Sequence, residues 1–513
     1  MWLPALRPCP RAAGANRCAQ RLASTSCVWT GRWWETEAPD LPALNRGVVF
    51  HTVLPSQDVA MNSGLSLEKT AAFKKKLKAE PRFQLAQNVA TCADPLEVCL
   101  QRQTVQDSVH VFQHTIPAEG KPITNQKNSG RCWIFSCLNV IRLPFMKKFN
   151  IEEFEFSQSY LFFWDKVERC HYFLNAFIET ATAEEPIDGR LLQFLLSNPT
   201  NDGGQWDMLV NLIEKYGLVP KKCFPESHTS ESTRRMNDIL NHKMREYCLR
   251  LRNMVSSGST KEELSETLDS MTEEVYRVVS ICLGSPPDKF TWEYRDKEKT
   301  FHKIGPVTPQ EFYQEHVKPI YNVQDKVCLV NDPRPQNDFG KLYTVQYLGN
   351  MLEGQKTTYN NQPIEILKKM AALSIKDGEA VWFGCDVGKH FHGKLGLNDM
   401  NIFDHELVFG VSVKNMNKAE RLIFGDSLMT HAMSLTAVTE KGDQEGEYEK
   451  WRVENSWGDD RGNKGYLLMT DDWFSEYVYE VVVDKKHISE DVLEVLKQTP
   501  IVLPAWDPMG ALA

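Results

Sequence analysis

Apolar residues recur at helical spacing from Phe154 to Phe163 and from Gln205 to Tyr216, with the turn-forming "NDGG" (Asn201 to Gly204) punctuating the boundary before the second run. Farther along, Met236, Leu240, Met244, Tyr247, Leu251 and Met254 make one stripe, and Leu264, Leu268, Met271, Val275 and Val278 make another. This spacing predicts two long amphipathic helices between Glu231 and Leu283, joined as a hairpin. Ser259 and Glu262 are placed to frame the second as a capping box, and Gly284 and Pro286 to close it. From Pro286 to about Gln362, short mixed runs such as "KVCLVNDPRP" and "KLYTVQYL" suggest strands and turns. After Asp377 the period shortens: "EAVWFGCDV", "HELVFGVSV", "HAMSLTAV", "KWRVENSW" and "KGYLLMT" read as strands separated by turn residues. The closing "LPAWDPMGALA" has no periodicity that predicts an element.

A helical half followed by a β-rich half is an α+β pattern. The expected segments are 1–60, outside the fold; 61–225, an N-terminal region and the helical half; 226–285, the helical hairpin; 286–362, a mixed insertion and candidate oligomerisation region; 363–488, the β-rich half; and 489–513, a C-terminal arm. At 513 residues, two to four packed units or one heavily inserted domain are expected.

Composition narrows the class. The chain is 42% hydrophobic and 25% charged, and its 13 Trp and 25 Phe exclude a disordered protein. A net charge of -9 gives no overall attraction to nucleic acid or to an anionic membrane. No apolar run approaches the roughly 18–20 residues that span a bilayer as a helix. The 13 cysteines are odd in number and lack paired spacing, so neither a zinc site nor a secreted disulfide framework is expected, and a reducing compartment is the simpler reading.

Residues 1–60 stand apart, with Arg7, Arg11, Arg17, Arg21 and Arg32 all preceding the first acid, Glu35. Two readings fit this bias: a mitochondrial transit peptide, or an alternative upstream start ahead of Met61. After Met61, Ser66 is placed to cap a basic helix that Pro81 stops.

The candidate chemistry centres on "ITNQKNSGRCWIFSCLNVIRLPF", Ile123 to Phe145. A thiol is a useful nucleophile only as thiolate, which needs a nearby cation or the positive end of a helix. Cys132 stands where the Ser129–Gly130 loop gives way to an apolar run and can occupy a helix N-terminus. Cys137, deeper in that run, is expected in the core. Gln126, six residues before Cys132, can turn its amide toward a developing oxyanion.

Gln126, Gly130, Cys132, Trp133, Phe135 and Ser136 stand in the relative positions of the papain-type cysteine protease signature, and the chain resembles that family. Ser129 replaces the disulfide cysteine of its secreted members, as a cytoplasmic enzyme requires. The base must be a later histidine. His405, in "FDHELVFGV", has an adjoining Asp and a predicted strand, but His431, in "MTHAMSLTAV", precedes the Asn455 of "NSWG" by only 24 positions and is preferred. Asn455 would orient the imidazole, and Trp457 would cover their hydrogen bond. Gly203 and Gly204 match a substrate wall, where bare backbone lets a peptide pair as an added strand.

Cys132 and His431 are 299 positions apart, against about 130–150 in the simpler members. The long insertion, the missing disulfide and the tail "AWDPMGALA" make the chain similar, from about Met61 to Ala513, to the family's ring-forming cysteine aminopeptidases that also deamidate the amide of the glycopeptide bleomycin. That resemblance implies a homohexamer acting on peptides and aminoacyl amides with no cofactor, and a C-terminal arm whose Ala513 carboxylate meets the substrate's free amino terminus. A catalytically silent ring scaffold and a papain-like endopeptidase are the alternatives.

Overall fold

The computed structural model of the protein describes residues 64–442 and 446–512. The segment 1–60 lies outside the described residues. Contacts divide the chain into Met1–Thr70 and Ala71–Ala513, and every element that carries the candidate site belongs to the second unit. Helix Leu67–Ala79 begins after Ser66, whose hydroxyl accepts the Lys69 N–H at 3.2 Å, and Pro81 opens the next helix, Pro81–Ala90.

The helical half is built on Cys132–Lys148, Gln158–Thr182 and Trp206–Tyr216. Phe154 and Phe156 lie ahead of the second of these, which starts only at Gln158, where the Ser157 hydroxyl accepts the Tyr160 N–H and caps it. Cys132–Lys148 is buried on nearly all sides, with Trp133, Ile134, Phe135, Cys137 and Ile141 among its buried residues, as expected of a mostly apolar helix in a domain centre. Each large side chain so buried contributes about 1.5–3 kcal/mol.

The helical hairpin forms from Arg234–Ser256 and Lys261–Leu283, both packed on Gln158–Thr182. Its capping box is one residue later than the sequence suggested. Thr260 and Glu263 make the reciprocal bonds in place of Ser259 and Glu262, because Ser259 still bonds back to Met254 in the turn.

Twelve strands among the described residues join one sheet. At its centre His431–Glu440 pairs antiparallel with Val381–Cys385 on one side and with Tyr448–Glu454 on the other, which pairs in turn with Tyr466–Thr470. Val478–Asp484 lies beyond Val381–Cys385 and pairs with Lys326–Val330, so the segment 286–362 adds strands to the same sheet. The stretch "HELVFGVSV" is not a strand. His405–Phe409 is a short helix capped by the Asp404 side chain and ended by Gly410 in the left-handed region, so local capping overrides the β-branched composition. The tail also acquires structure: Ile501–Leu503 pairs parallel with Lys341–Val345, and Pro508–Gly510 is a single helical turn. Among the described residues no helix is long and apolar enough to cross a membrane.

The two halves are joined by a buried ion pair. Arg142, on Cys132–Lys148, donates through Nη2 to Glu454 Oε1 at 2.7 Å and through Nη1 to the Pro122 carbonyl at 2.8 Å, and both charged side chains are 1% exposed. Removing one partner of such a pair leaves the other charged, buried and alone, at a cost of about 3–5 kcal/mol. Arg142→Met is therefore expected to lower the unfolding free energy by about that amount, and Arg142→Met/Glu454→Leu to recover part of it. Denaturant titration of the three proteins checks this, and a single-variant loss below about 1 kcal/mol would contradict it.

Candidate active site

Cys132 is the first residue of its helix, where the backbone N–H groups have no partner within the helix and the helix dipole is positive. The turn before it is held by Arg131, which is fully buried. Its guanidinium bonds Glu226 at 2.8 and 3.1 Å, and its Nε donates to Ser129 Oγ at 2.9 Å. Burial pushes the Cys132 thiol up to about 11, against the pull of the backbone N–H groups of Ala432, Trp133 and Cys132 itself beside the sulfur. The contact with Ala432 sets the sulfur beside the residue that follows His431. Cys137 is wholly buried, and burial alone raises its thiol far above the usual range.

His431 opens the central strand. Its Nε2 lies 3.0 Å from Asn455 Oδ1, an oxygen that also accepts the Ser456 N–H at 2.7 Å. A carbonyl oxygen only accepts, so Nε2 carries the hydrogen and Nδ1 is the free nitrogen. Trp457 packs on the ring at 4.8 Å between centroids, and His431 is 4% exposed. Burial lowers the imidazole to about 4 despite the opposing bond to Asn455. His405 instead has His390, Phe403 and Phe409 as ring neighbours.

Gln126 is buried beside the cysteine turn. Its Oε1 accepts from Ser456 Oγ at 2.7 Å, and its Nε2 donates to the Ser129 carbonyl at 2.7 Å, which leaves one amide hydrogen uncommitted. Ser456 thus serves both Asn455, through its N–H, and Gln126, through its hydroxyl. Sequence reasoning missed it, although its place inside "NSWG" was the available signal.

Gly203 and Gly204 lie just ahead of Trp206–Tyr216. A Cβ on Gly204 would stand 2.6 Å from the Trp133 indole, so the absence of a side chain here is a packing requirement. The next residue, Gln205, donates from Nε2 to the Ala511 carbonyl at 2.7 Å, which brings the C-terminal arm to the glycines. The arm is anchored farther back by Arg334, whose buried guanidinium bonds both Asp332 and Asp507. Ala513 lies outside the described residues.

A cysteine at a helix start, a histidine tied to an asparagine on the facing sheet, and a glutamine amide beside the cysteine have a counterpart among known proteins. The Peptidase C1-like family matches residues 64–510. The chain belongs to this family. It is therefore a papain-like cysteine peptidase with an α+β fold. Among its relatives, the bleomycin hydrolase of Gallus gallus is 79% identical over 450 residues, which cover 88% of this chain and 99% of that protein. That of Homo sapiens is 74% identical over 452 residues, again 88% of this chain and 99% of the relative. The aminopeptidase C of Lactobacillus delbrueckii subsp. lactis is 38% identical over 88% of this chain and 99% of its own length. The crystal structure of pepw from Lactobacillus rhamnosis superposes with a TM-score of 0.84 at 39% identity, covering 88% of this chain and all of the other.

The peptidase's Gly204→Ala variant is expected to be less stable by about 1–3 kcal/mol, since Trp133 is fully buried and has no room to withdraw. Gly388→Ala, where a Cβ meets nothing within 4 Å, serves as the control. Equal melting temperatures for the two variants would refute the packing account.

Proposed function

We propose that the chain is a cysteine aminopeptidase that removes N-terminal residues from peptides and hydrolyses aminoacyl amides, bleomycin-type amides included, through a thioester on Cys132. The observation that carries this reading is the His431–Asn455 bond on the strand whose Ala432 amide faces the Cys132 sulfur. In this mechanism the Cys132 proton passes to His431 Nδ1 as the sulfur attacks the amide carbonyl. The Cys132 N–H and the free hydrogen of Gln126 Nε2 hold the oxyanion, and His431 protonates the leaving amine. Water then hydrolyses the thioester with His431 as base. Asn455 keeps the imidazole in one tautomer, and Trp457 shields the bond between them.

Aminopeptidase selectivity follows from the arm. Gly203 and Gly204 receive the substrate backbone, the Gln205–Ala511 bond supports the arm beside them, and the role of Ala513 is to meet a free amino group through its carboxylate. The names of the relatives, bleomycin hydrolase and aminopeptidase C, support the same substrates. A homohexamer in the cytoplasm completes the proposal. The free cysteines among the described residues suit a reducing compartment, and exposed Leu77, Leu85 and Val89 on the N-terminal helices suit a covering subunit. Sedimentation at six times the chain mass is expected, and a monomer at micromolar concentration would refute the assembly.

The pH dependence tests the roles. A His431 lowered to about 4 is deprotonated, and able to take the thiol proton, at every pH above that value. The acid limb of kcat/KM is therefore expected well below 6.5, with activity lost as pH falls through the lowered value. On aminoacyl amides, Cys132→Ser and His431→Ala are expected to lose about a thousandfold or more, and His405→Ala to stay near the parent. A limb at 6.5 or above, or an active His431→Ala beside an inactive His405→Ala, would overturn the assignment.

A further inference from the structure

Lys166 takes no part in this chemistry, yet its ammonium is fully buried in the helical half. A buried ammonium is costly unless every donor is used. Here all three are: Nζ reaches the Thr200 carbonyl at 2.7 Å, the Asn201 carbonyl at 3.1 Å and Asp202 Oδ1 at 2.6 Å. One side chain thus ties down three successive residues immediately ahead of Gly203.

Asp202 in turn grips both flanks of Cys132. Its Oδ2 accepts the Gly130 N–H at 3.4 Å, and its backbone carbonyl accepts the Trp133 indole N–H at 2.7 Å. The carboxylate is completed by Thr233 Oγ1 at 2.5 Å and Asn237 Nδ2 at 2.7 Å. There is no slack in this contact, since a Cβ on Gly130 would stand 2.8 Å from Asp202 Cβ. Ser129 leaves the cysteine turn without a disulfide, so the connection between the turn and the glycine wall is made by charge and hydrogen bonds.

We propose that Lys166 and Asp202 are positioning residues for the peptidase reaction, a buried ion pair that fixes the Gly203–Gly204 wall against the turn carrying Cys132. The inference rests on Cys132 being the nucleophile. Burial pushes the Asp202 carboxyl up, but Lys166, Thr233 and Asn237 outweigh it and hold it at about 2, so it is ionised throughout the working range. Its charge also raises the Cys132 thiol. Other charged or titratable groups facing the pair are Arg131, with Glu226 and Glu231 beside it, and Cys170, which faces Lys166 together with Asp165 and Arg169; Cys385 lies near the Cys132 sulfur. The two singly charged remnants therefore act on the thiol in opposite directions. An unpaired Asp202 disfavours the thiolate, and an unpaired Lys166 favours it.

The test is the pH profile of Cys132 alkylation by iodoacetamide, followed by mass spectrometry, together with kcat and KM on an aminoacyl amide. Lys166→Met is expected to move the profile to higher pH, Asp202→Asn to lower pH, and Lys166→Met/Asp202→Asn to return it near the parent. The double variant is expected to keep a loss in kcat/KM of about tenfold or more, because the wall and the turn are no longer held in register. Lys166→Arg keeps the charge, so it is expected to hold the parent profile, and it serves where Lys166→Met does not fold. A merely structural pair would lower the melting temperature and leave folded variants with the parent profile and kcat/KM within about twofold, which would overturn the proposal. A parent not labelled at Cys132 would overturn the nucleophile assignment and this inference together.

Discussion

The candidate site exists only while the Cys132–Lys148 helix stays packed across the His431–Glu440 strand, because cysteine and histidine come from opposite ends of the fold. The seam is polar as well as apolar. Ser136 Oγ donates to the Met433 carbonyl at 2.7 Å, and Ser434 Oγ returns a bond to the Ser136 carbonyl at 3.2 Å. Trp382 Nε1 reaches the Trp133 carbonyl at 3.1 Å from the neighbouring strand. These bonds fix the helix along its axis, where apolar packing alone would tolerate sliding. They also explain why a long insertion is tolerated. Each doubling of a connecting loop adds only about 0.6 kcal/mol of closure entropy, so the helical hairpin enters between the two halves without disturbing the seam.

That seam also sets the electrostatics. Cys132 and His431 are both shielded from water, and burial drives each toward its neutral form. A charge on either alone is disfavoured, whereas a proton passed between them leaves the pair with no net charge. The amides of Ala432, Trp133 and Cys132 are already aimed at the sulfur, so little reorganisation is needed when negative charge develops there. Cys137 shares the burial but none of these donors, which is why two cysteines five positions apart have such different prospects.

The division into helical and β-rich halves was legible because the long apolar stripes of Arg234–Ser256 and Lys261–Leu283 are imposed by burial on one side, while His431–Glu440, buried on both faces, reads as a short apolar and branched run bounded by turn residues. The candidate residues were legible from local signatures: Gln126 through Ser136 on one side, "NSWG" on the other. What periodicity could not supply was local capping. Asp404 turns "HELVF" into a helix against its strand-like composition, and Thr260 takes the cap expected of Ser259, since the Ser259 backbone N–H is already committed to the Met254 carbonyl in the preceding turn and cannot take the return bond of a capping box. Lys166 and Asp202 were illegible for another reason. Each acts through a partner distant in sequence, as Lys166 does on Thr200 and Asp202 on Gly130, and a single chain read alone carries no sign of such pairings.

The segment from Thr200 to Gln205 gathers these constraints. Asp202 holds the cysteine turn, Gly204 lies against the Trp133 ring, and Gln205 holds the arm at Ala511. Three neighbouring positions thus face three separate parts of the molecule, and a shift that suits one disturbs the others. Under the proposed role in substrate binding a flexible turn would not serve, because ordering a backbone costs about 1–2 kcal/mol per residue and that cost would fall on every substrate bound. Lys166 meets it in advance by using all its donors on the same few residues. The position of the Gly203–Gly204 segment against the cysteine turn and the arm is thus fixed during folding.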